Sequence, residues 1–187
     1  MSVLNVPANK NFLSPLGFRF NLTRAPNLNF NVQNVSIPGL QLSQTETATP
    51  FVTIPNASHI TYSPLSVTFR VSEDLDDYLE IHNWMVGLGA PATFDQYKAL
   101  RSIPPGNPQS VYSDITLLIM NSSMRANLSV VFNDAFPISV GDLQFNTTDT
   151  DVNYMQCTVD FRYLNYTIKL IDLSLIHISE PTRLRRI

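Results

Sequence analysis

Few side chains in this 187-residue chain have the type and spacing that chemistry needs. Of its three histidines, His59 falls in a polar loop, His82 lies three residues from both Leu79 and Met85 on an apolar helix face, and His177 stands near the C-terminus. No two of them are placed to share a zinc ion. The acidic run Glu73, Asp74, Asp76 and Asp77 lacks the glycine and spaced ligands of a calcium loop. It reads instead as the first turn of a helix, where the macrodipole favours negative charge. Asp149 and Asp151, beside Thr147 and Thr148, read as a turn. The one cysteine, Cys157, shares the apolar side of an alternating run with Met155, Val159 and Phe161, so it reads as a small buried hydrophobe and has no disulfide partner. Trp84 could stack a ligand, but its place at the edge of a helix stripe favours core packing or a subunit contact.

The motifs that carry a mechanism are missing: there is no H-E-x-x-H, G-x-S-x-G, glycine-rich phosphate loop or C-x-x-C pair. The expectation is therefore no enzyme, with no catalytic, cofactor-binding or metal-binding residue and no cofactor. Asn-x-Ser/Thr triplets begin at Asn21, Asn34, Asn56, Asn121, Asn127, Asn146 and Asn165, and several fall inside expected strands. In a chain this rich in Asn, Ser and Thr they read as chance rather than as glycosylation sites.

Composition narrows the partners. Hydrophobic residues make up 44% and charged residues only 14%, so polarity comes from amides and hydroxyls and a charge-driven disordered chain is excluded. A net charge of -3 with no basic cluster before the last residues argues against gripping a phosphate backbone. The N-terminus has no signal-peptide pattern, and no long apolar stretch occurs, so neither secretion nor a membrane-spanning segment is expected.

The elements that would position these residues are mostly strands. After an Asn- and Pro-rich arm, Phe18, Phe20 and Leu22 alternate with polar residues, as do Leu28, Phe30 and Val32 beyond a turn at Ala25, Pro26 and Asn27. This predicts an antiparallel hairpin, and the shift of apolar parity to Val35 and Ile37 predicts a bulge near Gln33 and Asn34. Residues 40–64 read as a long extended loop or open hairpin, polar and marked by Pro50, Pro55 and Pro64, and suited to a projecting arm that touches a neighbour. Leu65, Val67, Phe69 and Val71 form another strand. Ser72 is placed to cap a helix whose stripe is Leu75, Tyr78, Leu79, His82, Met85 and Val86, ended by the residues from Gly87 to Pro91. A second, shorter helix fits residues 94–100, with Thr93 and Gln96 at capping-box spacing.

The remainder predicts strands at Ile115 to Ile119, Leu128 to Phe132, Leu143 to Phe145, and one long run over residues 154–168. Seven or eight strands around one or two helices argue for a mainly β fold, an antiparallel sandwich or barrel with a helix at its flank. The text changes at about residue 173. SLIHISEPTR, residues 174–183, resembles the translation of a sequencing-library adapter, so residues 1–172 are expected to form one domain and 173–187 to be an artefactual tail. Without that tail nine basic and fourteen acidic residues remain, a formal charge of about -5.

Several segments recur in a telling order. Gly17-Phe18-Arg19-Phe20, Pro26-Asn27-Leu28-Asn29-Phe30 and Ile37-Pro38-Gly39 are followed by LSVTFRVSEDL at 65–75, then Tyr78-Leu79-Glu80-Ile81 and Trp84. Tyr112-Ser113-Asp114, Asn133-Asp134-Ala135-Phe136-Pro137 and Phe161-Arg162-Tyr163 complete the series. Together, over about residues 12–170, they resemble the tail tube proteins of contractile-tailed bacteriophages, including the initiator and terminator relatives at the tube ends. The resemblance implies a barrel-like β-sandwich with a flanking helix, six copies per ring, and rings stacked into a tube through which the genome passes. It implies sheath, baseplate or terminator proteins as partners, DNA in transit without specific binding, a place in the virion tail, and assembly in the host bacterial cytoplasm. The alternative expectation is a surface β-sandwich that binds carbohydrate, suggested by the antiparallel pattern and the Asn-, Tyr- and Thr-rich surface.

Overall fold

Period-two alternation puts one face of each strand in a core, and the strands find their partners accordingly. The computed structural model describes residues 11–91, 93–95, 98, 111–147 and 154–171. In chain order the elements are β1 (Phe18–Leu22), α1 (Pro26–Asn31), β2 (Val32–Val35), β3 (Leu40–Ala48), β4 (Thr53–Tyr62) and β5 (Leu65–Arg70). They continue with α2 (Asp76–Gly89), β6 (Ser113–Met120), β7 (Ala126–Val140), β8 (Gln156–Arg162) and β9 (Asn165–Leu170).

Every described strand pairing is antiparallel, as expected. Two four-stranded layers share β7: β1-β6-β7-β9 on one side and β7-β8-β5-β2 on the other. At fifteen residues β7 is long enough to serve both. It turns the corner at Asp134, which adopts φ 53 in the left-handed region, its amide donating to Asp114 Oδ1 at 3.1 Å. Leu22, Ile115, Leu117, Val130 and Phe132 from the first layer meet Leu65, Val67, Phe69, Val159 and Phe161 from the second, all buried. Helix α2 closes the core with Ile81 and Trp84.

Several expectations change. The hairpin expected between Phe18 and Val32 does not form: residues 26–31 are helical, and β1 pairs with β6 instead. Pro26 at the first helical positions presets φ for a helical turn, and only Leu28 of the segment is buried. The Asn29 side chain takes a strand's place beside β1, accepting from the Leu22 amide at 2.8 Å and donating to the Leu22 carbonyl at 3.0 Å. The bulge is present, as a register shift between Val32 and Asn34 against β5. Residues 143–145 are not a strand; β7 ends at Val140, and Phe145 is left exposed. The run over residues 154–168 divides into β8 and β9, because after Tyr163 the chain crosses from one layer to the other, where the Leu164 amide donates to Asn133 O at 3.0 Å. His59 lies in strand β4 rather than in a loop.

Helix α2 is present, with Tyr78 and Met85 of the expected stripe packed against the core, but it is capped differently and turned by part of a stripe. Leu75, with φ 60, occupies the cap position without a side-chain bond, and Ser72 Oγ is buried with no partner among the described residues. The inward face carries Asp77, Ile81, Trp84 and Gly87, whereas Leu79 and His82 point to solvent. Two stripes offset by part of a turn were available in this sequence. Tertiary packing takes the one that buries the indole. The shorter helix expected at residues 94–100 lies mostly outside the described residues.

Candidate assembly surface

The residues that sequence reading weighed for chemistry are scattered. Cys157 is buried, its thiol donating to Gly141 O at 3.4 Å, and burial pushes that thiol up from its ordinary pKa. His82 is exposed and stacks on Tyr78 with ring centroids 6.2 Å apart. Of the acidic run, Glu73, Asp74 and Asp76 are exposed, while Asp77 is buried and accepts from Asn31 Nδ2 at 2.8 Å and from the Ser72 amide at 3.1 Å. It is a structural strut between α1 and α2. Trp84 packs in the core near Phe161, donates from Nε1 to Val111 O at 3.0 Å, and carries the Arg24 guanidinium over its face. Asp149 and Asp151 lie outside the described residues, and among those described no group of His, Cys, Asp or Glu could hold a metal ion. No helix among them is long and apolar enough to cross a membrane.

What the structure does assemble is a projecting arm. Among the described residues, strands β3 and β4 pair only with each other and form a two-stranded sheet outside both layers. Leu40 lies opposite Tyr62 and Leu42 opposite Ile60; a register shift before Gln44 then sets Ala57, Pro55 and Thr53 opposite Gln44, Glu46 and Ala48. One face therefore carries Leu40, Leu42, Ile60 and Tyr62 near the stem, with Glu46 nearer the tip. At the tip Phe51 is 98% exposed. An isolated two-stranded hairpin is marginal in water, and this one shows Leu40, Leu42, Val52, Ile54 and Ile60 to solvent.

The stem is held by an aromatic clamp. The Tyr163 hydroxyl donates to Ser63 O at 2.8 Å and the Tyr166 hydroxyl to Pro38 O at 3.4 Å, one bond to each leg of the arm. Tyr62 meets both rings edge-on at 5.8 Å, and Phe132 supports them from the core at 5.0 and 5.4 Å. Burial, with Tyr166 and Tyr62 adjoining, pushes the Tyr163 phenol up to about 12, so it remains a donor. No signal short of the fold brings together residues 38, 62, 63, 132, 163 and 166.

Across the first layer from the clamp lies a groove of about 980 Å³ between the free edge of β1 and the α1–β2 segment. Leu16, Phe18, Phe30, Leu118 and Met120 line it with Asn21, Asn29, Gln33 and Thr116, and among the described residues Arg19 is its one charged side chain. Leu16 and Phe30 are 85% and 87% exposed.

A projecting arm and, among the described residues, sheet edges without a partner strand are what this surface presents. The profile of the family described as phage tail tube protein matches residues 3–169. The chain belongs to that family. It is a structural protein of a contractile tail, a virion component, and the expected fold and family hold. A tail tube terminator protein of Enterobacteria phage T4 is 26% identical over 144 residues, covering 74% of this chain and 77% of that one. Among solved structures, the tube-terminating cap of the anti-feeding prophage superposes with a TM-score of 0.59 at 13% identity, covering 91% of this chain and 100% of that chain. The sheath-tube complex of an extracellular contractile injection system, PVC, gives 0.56 at 12%, covering 87% and 94%. These likenesses are of fold. The carbohydrate-binding alternative is not supported by any of them.

Proposed function

We propose that this tail tube protein assembles through its arm into hexameric rings, either stacked in the tube or closing its end. The observation that carries the reading is the β3–β4 arm: an apolar-faced hairpin clamped at its stem by Tyr62, Tyr163 and Tyr166 and, among the described residues, paired with no strand of either layer. The terminator relative in phage T4 favours the end of the tube. Sheath, baseplate or further tube proteins are the expected neighbours, and assembly takes place in the host bacterial cytoplasm. The part played is purely structural, without catalysis. Residues 1–172 act as one domain, to which 173–187 contribute nothing. The body's formal charge of about -5, nine basic against fourteen acidic residues, lets DNA pass without adhering, since like charge opposes the contacts a basic lining would make.

Negative-stain microscopy and sedimentation of the full chain, beside a variant whose residues 41–61 are replaced by a short glycine-containing turn, test this reading. The full chain should form six-fold rings or short tubes with rising concentration, and the shortened one should stay monomeric while folded. Equal assembly by both would overturn the role of the arm.

A further inference from the structure

The arm and the groove stand at opposite edges of one layer. In the order β1-β6-β7-β9, Tyr166 of β9 ties down the arm's stem, while the groove runs along β1. A contact between such edges on two copies is heterologous: each copy offers its arm to one neighbour and its groove to the other, which closes a ring or extends a filament. The chemistry of the two surfaces matches. Over residues 40–62 the only formally charged residue is Glu46, and among the described residues the one charge lining the groove is Arg19; both are exposed. Leu16, Phe30, Leu118 and Met120 form the apolar part of the groove wall, beside the amides of Asn21, Asn29 and Gln33, and offer a bed for Phe51 and Val52 at the tip.

Resting on the assembly reading above, we propose that the β1–α1 groove is the receptor for the arm of a second copy. Glu46 of the arm pairs with Arg19, and Phe51 seats against Phe30. The pair is weak while hydrated and gains strength as the apolar tip excludes water around it. Phe30 projects from α1 87% exposed, and Asn29, bonded to Leu22, fixes the helix turn that presents it.

The test is a charge exchange followed by sedimentation and microscopy of full-length chains. Arg19→Glu and Glu46→Lys should each weaken association by roughly tenfold or more, and the double variant should recover most of it. Because the contact joins two copies, an equimolar mixture of the two single variants should also assemble: each arm then meets a groove of opposite charge. Phe30→Ala should weaken association without lowering the melting temperature of the monomer. Single variants that assemble like the parent, or a double variant no better than either single one, would overturn the groove as receptor. If the arm-shortened variant still fails to assemble in that case, the arm docks elsewhere and the assembly reading survives. If it assembles, both readings fall.

Discussion

Tyr163 does two jobs with one side chain: its ring packs between Phe132 and Tyr62, and its hydroxyl satisfies the Ser63 carbonyl. Tyr163→Phe keeps the ring and removes the bond, so it should cost about 1 kcal/mol, a drop of roughly 2 to 4 °C in melting temperature. The ionisation adds a second observable. Its folded-state pKa stands at about 12 against an ordinary 10.0, so the stability of the protonated phenol is fully present below about 10 and is lost as pH rises towards 12. Urea unfolding at several alkaline pH values should show the parent losing stability over that window more steeply than Tyr163→Phe. Parallel curves would mean that Tyr163 ionises as easily folded as unfolded.

Between elements, the short α1 depends on α2. Asp77 accepts from Asn31 of α1 and from the amide of Ser72 before α2, and at its other end α1 places the Asn27 amide and side chain on the Glu80 carboxylate at 3.2 and 3.0 Å. Asp77→Ala should destabilise by about 2 kcal/mol, because it strands two buried or half-buried donors of a charged acceptor, and Asp77→Asn should cost less. Denaturant titration measures both, and equal costs would show that one acceptor atom does nothing. These contacts also explain which elements can be read in advance. Strands β1, β5 and β6 and the span of α2 are legible because each buries one face of a regular period. Helix α1 is not, because six residues cannot distinguish a turn of helix from alternation, and what decides is Pro26 with Asn29 reaching back to Leu22. The face of α2 is only half legible: Tyr78 and Met85 of the expected stripe pack against the core, but Leu79 and His82 satisfy the same periodicity as Ile81 and Trp84, and only the neighbouring layer selects between them. In the candidate site, the arm is visible as a stretch without core positions. The clamp and groove are not, since Pro38 and Tyr166, or Phe30 and Met120, meet only after folding.

At the scale of the molecule, the body and the arm should behave as separate units of stability. The body has one core built from both layers and α2, whereas β4 is exposed along nearly its whole length and β3 likewise. The ladder between Leu40 and Tyr62 is therefore a set of backbone hydrogen bonds open to water on both faces. Hydrogen exchange on the monomer should show amides of residues 41–61 exchanging orders of magnitude faster than those of β5 and β8, with protection rising only towards the tyrosine clamp. Upon association the arm amides should become protected, and so should those of β1 and α1 if the groove is the receptor, while the body's core changes little. An arm already as protected as the core in dilute monomer would show that the hairpin is stable by itself. Its apolar face would then need another explanation than a surface awaiting a neighbour.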